Sequence, residues 1–210
     1  CDVATAMVLV ARQTALAVVP EEKCFPFVCD LASADDLSAT LATRHPSLIT
    51  FFGMIPNFEP SVILPKLASL VRPQDWLLFS ANLAPGKDYA AGVEKILPQY
   101  DNPPTREWLL TFLLDLGVER SDGGLRFQIE EDTGTGLRRV AADFHFTRPC
   151  RIEIEAEQFE FATGDVVHLF FSYRYTPERV RENLARHDLE VVRQWITPSE
   201  EEGVFLCRRK

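Results

Sequence analysis

A polar residue that follows a strongly apolar stretch is the first candidate for chemistry in this chain. Residues Leu48 to Phe52 are mostly apolar, β-branched or aromatic and carry no charge, which predicts a strand buried on both faces. The turn from Gly53 to Pro56 ends this strand. Ligands of open parallel sheets collect at the carboxyl ends of strands, so Asn57 is well placed to contact a ligand. The alternative is a turn asparagine that hydrogen-bonds its own backbone.

The cysteines and histidines form no pattern that predicts a metal site. The chain has five cysteines and four histidines, and no two cysteines form a CxxC pair. No metal-binding residue is therefore assigned. An odd cysteine count without a disulfide framework, and no apolar run long enough to span a bilayer, favour a cytoplasmic protein without membrane association. No signal peptide is visible.

Composition and charge narrow the class of partner. The 210 residues are 46% hydrophobic, which is typical of a folded globular core. The formal net charge is −9, and the chain has no basic tract. This charge disfavours nucleic acid and anionic membranes as partners. A small-molecule substrate is the default expectation.

Helices and strands alternate over the first part of the chain. This alternation predicts βαβ units and a parallel, doubly wound sheet. A mostly buried helix is expected first, because its stretch is rich in Ala, Leu and Val and lacks Gly and Pro. The predicted elements are a helix over Thr5 to Val18, a strand over Cys24 to Cys29, a helix capped by Ser33 or Asp35 and running to about Arg44, a helix starting at Glu59-Pro60, and a strand over Asp75 to Ser80.

The middle of the chain has a different pattern. Two helices are predicted, followed by strands that suit antiparallel hairpins. In the last of these strands the apolar residues change from even to odd positions, so a bulge or tight turn is expected near Glu157-Gln158. The predicted helices cover Asp88 to Leu97 and Thr105 to Leu116, and the predicted strands cover Leu125 to Glu131, Leu137 to Thr147 and Arg151 to Phe161.

The end of the chain returns to the α/β pattern. Val167 to Tyr175 predicts a strand, and Thr176-Pro177-Glu178 is a strong helix start. Two more strands are predicted, over Leu189 to Ile196 and Val204 to Arg208. Their connection is too short for a parallel crossover, so the last strand is expected to be antiparallel to its predecessor.

This order of elements resembles the class I S-adenosylmethionine-dependent methyltransferases, whose Rossmann-like doubly wound sheet ends in an antiparallel strand. Two segments also resemble the histidine-specific methyltransferase family, which makes trimethylhistidine. Phe51 to Pro60 reads FFGMIPNFEP and is similar to the family's FLGS-IGN-EP loop. His168 to Glu178 reads HLFFSYRYTPE and is similar to its H-E-S-KYTPE segment. The resemblance runs from Asp2 to Lys210.

The resemblance implies S-adenosylmethionine as the cofactor and a division into domains. Residues 1–82 and 177–210 would form an incomplete S-adenosylmethionine-binding domain, and residues 83–176 an inserted α+β substrate-binding domain. The family's first strand and Gly-rich loop would lie before Asp2, so we expect an N-terminally truncated methyltransferase. The fragment by itself is expected to bind the cofactor poorly and to be inactive.

The resemblance also implies roles for individual residues. For the cofactor, Asp2 would receive the ribose hydroxyls, Asp30 the adenine amine, and Leu31 would lie beside the adenine ring, with Gly53 also at the cofactor. For the substrate, Asn57 and Tyr100 match residues that hold the amino-acid acceptor.

One strand departs from the family pattern. The family's imidazole-binding glutamate and serine fall at Phe170 and Ser172, and a side-chain period of two puts these residues and His168 on one face. Without the acid, an imidazole N–H would stay unpaired, at a cost of roughly 1 to 3 kcal/mol. A more apolar acceptor than histidine is therefore expected. His168 is either a base or a packed strand histidine.

These observations predict a methyltransferase that acts on a small molecule. Methyl transfer from a sulfonium is an in-line displacement in which the protein chiefly orients the acceptor. The expected acceptor is an amine nitrogen of an amino-acid-like molecule that is not histidine itself. The alternative is a catalytically degenerate methyltransferase-like protein that binds a ligand or a partner.

Overall fold

The computed structural model describes residues 1–34, 37–41 and 43–210. The chain divides into two compact units, Cys1–His45 and Pro46–Lys210, and each is described by itself. Asp35, one of the two predicted helix caps, lies outside the described residues. The domain division that the resemblance implies stays a prediction.

The unit Cys1–His45 contains two α-helices and a 3-10 helix. Helix α1 covers Thr5–Ala15, the 3-10 helix covers Glu21–Lys23, and α2 covers Leu37–Thr40. The prediction that the first helix is mostly buried is wrong, because only Val8 of α1 is buried. The apolar residues of α1 occur consecutively rather than at helical spacing, so they surround the helix and one packed face cannot cover them.

The strand predicted over Cys24 to Cys29 is reduced to a single parallel bridge between Asp2 and Val28. Two backbone hydrogen bonds accompany this bridge, from Asp2 N to the Phe27 carbonyl at 3.4 Å and from Cys29 N to the Asp2 carbonyl at 3.1 Å. Pro26 has no N–H to donate to a strand ladder. The two short extended segments run in parallel, so their carboxyl ends lie side by side.

The unit Pro46–Lys210 contains a four-stranded mixed sheet with strand order β1-β2-β9-β8. Strands β1 and β2 pair in parallel, and β9 is antiparallel to both β2 and β8. The predicted antiparallel last strand is confirmed. The elements of this sheet and its connections are β1 Leu48–Phe51, α3 Pro60–Leu70, β2 Trp76–Asn82, α6 Pro177–Ala185, β8 Leu189–Ile196 and β9 Glu202–Arg209.

Strand β1 is less buried than its composition predicts. Leu48 is 58% exposed and Phe52, directly after the strand, is 49% exposed. The prediction of burial on both faces is wrong, because β1 pairs with a neighbour on only one side in this four-stranded sheet. Helix α3 begins at Pro60 as predicted, and it continues through Pro65.

A second, antiparallel sheet carries most of the candidate site. Its order is β3-β4-β7, and α4 and α5 contribute apolar side chains to the clusters on one of its faces. Asp88 caps α4 by accepting from Ala91 N, and Asn102 caps α5 by accepting from Thr105 N. The elements are α4 Tyr89–Tyr100, α5 Pro103–Asp115, β3 Gly123–Asp132, β4 Leu137–Phe146 and β7 Val166–Arg174.

The predicted break in the strand over Arg151 to Phe161 is a tight turn. Strands β5 Cys150–Ile154 and β6 Glu157–Phe161 form a hairpin in which Ile154 pairs with Glu157. Glu155, in the two-residue turn, has φ +56°. The change of phase in the apolar residues therefore marks the turn itself.

Strand β7 contains a bulge that the alternating pattern did not predict. Asp143 of β4 pairs with His168, and its neighbour Ala142 pairs with Phe170, so Leu169 is an extra residue. Adjacent residues of β4 point to opposite faces, so His168 and Phe170 do too. The prediction that His168 shares a face with Phe170 and Ser172 is wrong, because the bulge resets the side-chain period.

Candidate functional site

The two aspartates assigned to the cofactor lie at neighbouring chain segments of the unit Cys1–His45. Asp2 Oδ1 accepts from Ala4 N at 2.8 Å, and Asp30 Oδ1 accepts from Ala32 N at 2.9 Å. Each carboxylate is thus oriented by its own loop, and the second oxygen of each has no hydrogen-bond partner among the described residues. Leu31 is buried, with 9% exposure. Two fixed carboxylates with a spare oxygen each are suited to bind a ribose diol and an adenine amine.

Gly53 and Asn57 follow β1 directly. Gly53 has φ +72°, a conformation that favours glycine, and its N–H donates to Ser80 Oγ at 2.8 Å. Asn57 ends a short 3-10 helix over Ile55–Asn57, and its Nδ2 donates to the Phe171 carbonyl of β7 at 2.7 Å. The side chain therefore does not form the local turn bond that was the alternative. Instead, it connects the loop after β1 to the middle of β7.

Three of the residues predicted to bind substrate contact one another. Tyr100, at the end of α4, lies with its hydroxyl 3.2 Å from Ser172 Oγ, and its ring is 5.4 Å from the Phe170 ring, centroid to centroid. Asn82, the last residue of β2, donates to Ser172 Oγ at 3.4 Å. With Asn57 bound to the intervening Phe171 carbonyl, all four predicted substrate residues meet along residues 170–172 of β7.

Arg174 is a member of this cluster that the sequence reasoning missed. It is 4% exposed, and its Nη2 donates to the Tyr100 hydroxyl at 2.5 Å. Its Nε has no hydrogen-bond partner in the part of the chain that the structure describes. Burial lowers the pKa of this guanidinium. The sequence signal that could have identified Arg174 is its position within the HLFFSYRYTPE segment.

A second set of hydrogen-bonded side chains, centred on Glu59, joins the loop that contains Asn57 to β7 and β4. Glu59 accepts from Arg139 Nη1 at 2.6 Å and from the Tyr173 hydroxyl at 2.7 Å. Arg139 Nε also donates to Glu130 at 2.8 Å. Burial and the bond to Glu59 raise the pKa of Tyr173, so its hydroxyl stays a donor. These hydrogen bonds hold the loop against the sheet, which gives Glu59 a structural role.

His168 is held by a buried carboxylate at the exposed end of β7. Its Nδ1 lies 2.7 Å from Asp143 Oδ1, and Gln128 Nε2 donates to Asp143 Oδ2 at 2.8 Å. The Asp143 residue is 2% exposed, whereas the His168 side chain is 73% exposed. His168 is therefore not a packed strand histidine, and its other ring nitrogen faces outward.

Other observations bear on metals and membranes. Within residues 1–34, 37–41 and 43–210, no three His, Cys, Asp or Glu side chains converge as a metal site would require. In the same residues, every helix is too short or too polar to cross a membrane. The five cysteines are free thiols.

Comparison with known families identifies the class of protein. The profile of a family of S-adenosylmethionine-dependent methyltransferases, the histidine-specific methyltransferases, matches residues 1–209. The chain belongs to this family of histidine-specific methyltransferases. The predicted fold class, an α/β class I methyltransferase-like sheet with an antiparallel last strand, is confirmed.

Several solved structures have a similar chain path at low sequence identity. An S-adenosylmethionine-dependent methyltransferase from Clostridium acetobutylicum has a TM-score of 0.45 and 10% identity, over 99% of this chain and 72% of that chain. The CcbJ methyltransferase from Streptomyces caelestis has a TM-score of 0.44 and 13% identity, over 99% and 77%. The glycopeptide N-methyltransferase MtfA has a TM-score of 0.43 and 16% identity, over 99% and 75%. No curated protein matches the chain.

Family membership makes S-adenosylmethionine the cofactor, and the described residues fit its nucleoside. Asp2 and Asp30 would hold ribose hydroxyls and the adenine amine through their spare oxygens. The cofactor supplies an electrophilic methyl group on a sulfonium. The roles of Asp2, Asp30, Leu31 and Gly53, like the expectation of an upstream Gly-rich loop, stay predictions.

Proposed function

We propose that this protein transfers a methyl group to an amine nitrogen of a small, amino-acid-like molecule other than histidine. The observation that carries this proposal is the meeting of Asn57, Tyr100, Phe170 and Ser172 along three residues of β7. An amide oxygen, two hydroxyls and an aromatic ring are the groups needed to hold a polar head beside an apolar body.

The polar side chains of this cluster act by orienting the acceptor. Asn57 uses its amide N–H on the Phe171 carbonyl, so its Oδ1 is free to accept a hydrogen bond from an amine. Arg174 donates to Tyr100, which keeps the tyrosine hydroxyl oriented toward Ser172. An amine held in one direction reaches in-line geometry with its lone pair, which is the main requirement of methyl transfer.

Phe170 is the reason for excluding histidine. Its ring lies against Tyr100 and packs on the cluster of Leu109, Leu125 and Ala142. A histidine ring placed there would bury an N–H without an acceptor, which costs about 1 to 3 kcal/mol. An apolar or aromatic side chain carries no such cost.

The test is a methyl-transfer assay with the full-length protein. We would incubate it with S-adenosylmethionine and a panel of amino acids, and measure S-adenosylhomocysteine and a product heavier by one methylene. We expect turnover of an aromatic or aliphatic amino acid at its amine and little turnover of histidine. No turnover of any amine, or histidine as the best substrate, would overturn the proposal.

A single substitution tests the role of Phe170. Restoring the acid with Phe170→Glu provides an acceptor for an imidazole N–H, so kcat/KM for histidine is expected to rise about tenfold relative to that for the native acceptor. Phe159→Glu is the matched control, because Phe159 lies in β6 and is exposed. It should leave the ratio unchanged. An unchanged ratio in Phe170→Glu would show that Phe170 does not set specificity.

A further inference from the structure

The sheet β3-β4-β7 has one long edge that pairs with no other strand in the described part of the chain. Strand β3 is an outer strand of this sheet, and its ten residues pair with β4 in a regular register. It contains no proline and no bulge, which are two of the features that keep edge strands from pairing. A regular edge of this length can add another strand through backbone hydrogen bonds.

The other outer strands of the unit Pro46–Lys210 are short, irregular or already bonded. Strand β1 has four residues, and β5 and β6 have five each. Strand β8 has an irregular register between Val191 and Arg193. The β7 carbonyl of Phe171 already accepts a hydrogen bond from Asn57. Strand β3 is therefore the edge best suited to pair with another chain.

The hydrogen bonds of β3 show which of its residues face the free edge. On the side of β4, the Asp122 carbonyl accepts from Thr147 N at 2.8 Å. The Leu125 carbonyl accepts instead from the side chain of Arg106 at 2.9 Å. In an antiparallel strand the N–H and C=O of one residue point to the same side, and successive residues alternate. The even-numbered residues therefore bond to β4, and the odd-numbered residues face the free edge.

Phe127 and Ile129 carry unpaired backbone groups at the middle of this edge. Their N–H and C=O groups have no hydrogen-bond partner among residues 1–34, 37–41 and 43–210. Both residues are partly exposed, so another strand can reach them. Together they offer two donors and two acceptors to an antiparallel neighbour.

The side chains of β3 form a pattern that complements itself. In an antiparallel pair of two copies centred on Gln128, Arg126 of each copy lies opposite Glu130 of the other. On the other face of the same pair, Phe127 lies opposite Ile129. Opposite charges and aromatic–β-branched pairs directly across two strands are both favourable. The charged pair is also a non-hydrogen-bonded pair, in which the side chains lie closest.

Neighbouring registers lack this match. Centring the pair on Ile129 puts Phe127 opposite Glu131, and centring it on Phe127 puts Arg126 opposite Gln128. The pattern therefore selects the register centred on Gln128.

The two charged residues are available for the contact. Arg126 is exposed, and it has no ion pair or side-chain hydrogen bond among the described residues. Glu130 accepts from Arg139 through Oε2 and from Gln128 through Oε1. Since a carboxylate has about four acceptor sites, Glu130 can accept a further guanidinium. Arg126 of a second copy is placed to supply it.

We propose that two copies of this chain form a twofold-symmetric dimer by antiparallel pairing of β3 with β3 of the second copy, centred on Gln128. A twofold axis makes the contact isologous, so each favourable pair occurs twice. The occupant of the edge is a second copy because the charge pattern of β3 complements itself. None of the residues of the proposed acceptor site takes part in this pairing.

The first test is sedimentation velocity of the full chain at concentrations from about 1 to about 500 µM, a range that includes weak complexes. We expect the wild type to reach twice the mass of one chain as the concentration rises. Arg126→Glu places a carboxylate opposite Glu130 at two positions, so the dissociation constant of the dimer should rise about tenfold or more. Arg126→Lys keeps the charge and should dimerise as the wild type does. Circular dichroism checks that each variant is folded.

Arg193→Glu is the matched control. Arg193 is an exposed arginine of the outer strand β8, and it has no ion pair in the described part of the chain. This variant should dimerise as the wild type does. Loss of the dimer in Arg193→Glu but not in Arg126→Glu would place the contact at β8 and overturn the proposal.

The second test locates the contact in the wild type without a substitution. Amide hydrogen exchange, measured by NMR at low and high protein concentration, reports on single N–H groups. The amides of Phe127 and Ile129 should exchange about tenfold more slowly where the dimer dominates, because they become hydrogen-bonded. The amides of Arg126 and Gln128 already bond to β4 and should change little. A wild type that stays monomeric over the whole range, an Arg126→Glu variant that dimerises like the wild type, or exchange at Phe127 and Ile129 that is independent of concentration would each overturn the proposal.

Discussion

Two buried aspartates in the unit Pro46–Lys210 have opposite surroundings. Asp75 and Asp143 are each 2% exposed. Asp75 accepts four N–H groups, one from the Ser47 backbone and three from the backbone and side chain of Arg72, at 2.7 to 3.0 Å. Asp143 accepts one from Gln128, and its other oxygen lies against the imidazole of His168.

The difference indicates that Asp75 stabilises the fold, whereas Asp143 positions the side chain of His168. The donors of Asp75 satisfy both oxygens and neutralise the charge where β1 and β2 begin. Asp143 has no arginine or lysine bound to it in the described residues, and its histidine partner is exposed at a pocket. We therefore expect substitutions at Asp75 to reduce stability more than substitutions at Asp143 do.

The largest effect is expected for Asp75→Asn. The amide keeps one acceptor oxygen and presents an NH₂ to donors that previously faced a carboxylate. Because Arg72 is one-third exposed, we expect a loss of about 2 to 4 kcal/mol in the free energy of unfolding, measured by urea denaturation. Asp88→Asn is the control, since Asn caps a helix as well as Asp does. Equal losses in the two variants would contradict the structural role of Asp75.

Acid should weaken the same interaction by a smaller amount. The hydrogen bonds from Arg72 hold the pKa of the Asp75 carboxyl well below its usual range. The unfolded chain binds this proton more tightly than the folded protein does. The contribution of Asp75 is therefore complete above the unfolded pKa near about 3.9, and it is lost as the pH falls below that value.

The measurement is the difference in unfolding free energy between the wild type and Asp75→Asn at pH 7, 4 and 3. This difference isolates Asp75 from the other carboxylates that titrate in the same range. We expect it to shrink as the pH falls. A difference that is constant over this range would show that Asp75 does not have a lowered pKa.

Local sequence signals account for most of the elements but not for their burial. The helix starts at Asp88 and at Thr176-Pro177 are predicted correctly, because a cap acts on its own turn. Helix α5 begins at Pro103, two residues before the predicted start at Thr105. The exposure of β1 depends on its single neighbour in the four-stranded sheet, which no residue of β1 encodes. The exposure of α1 likewise contradicts its apolar composition.

The sequence predicted the candidate site only at residues that belong to a recognisable motif. Asn57 and Ser172 come from the two segments that resemble the family, and the structure joins their segments through the Phe171 carbonyl. Arg174 and Asp143 were missed because their significance lies in contacts made across 74 and 25 residues of chain. The bulge at Leu169 was also missed, because Leu169, Phe170 and Phe171 are all apolar and their types do not show the change of face.

The smallest effect on stability is expected for Asp143→Asn, and it sharpens the comparison most. Both oxygens of Asp143 accept hydrogen bonds, so the amide leaves either Gln128 or His168 without its acceptor. Loss of one such bond costs about 1 kcal/mol in the free energy of unfolding, to be measured by urea denaturation beside Asp75→Asn. The same substitution removes the carboxylate that fixes the tautomer of His168. A loss of stability as large as that of Asp75→Asn would mean that Asp143 serves the fold as much as Asp75 does.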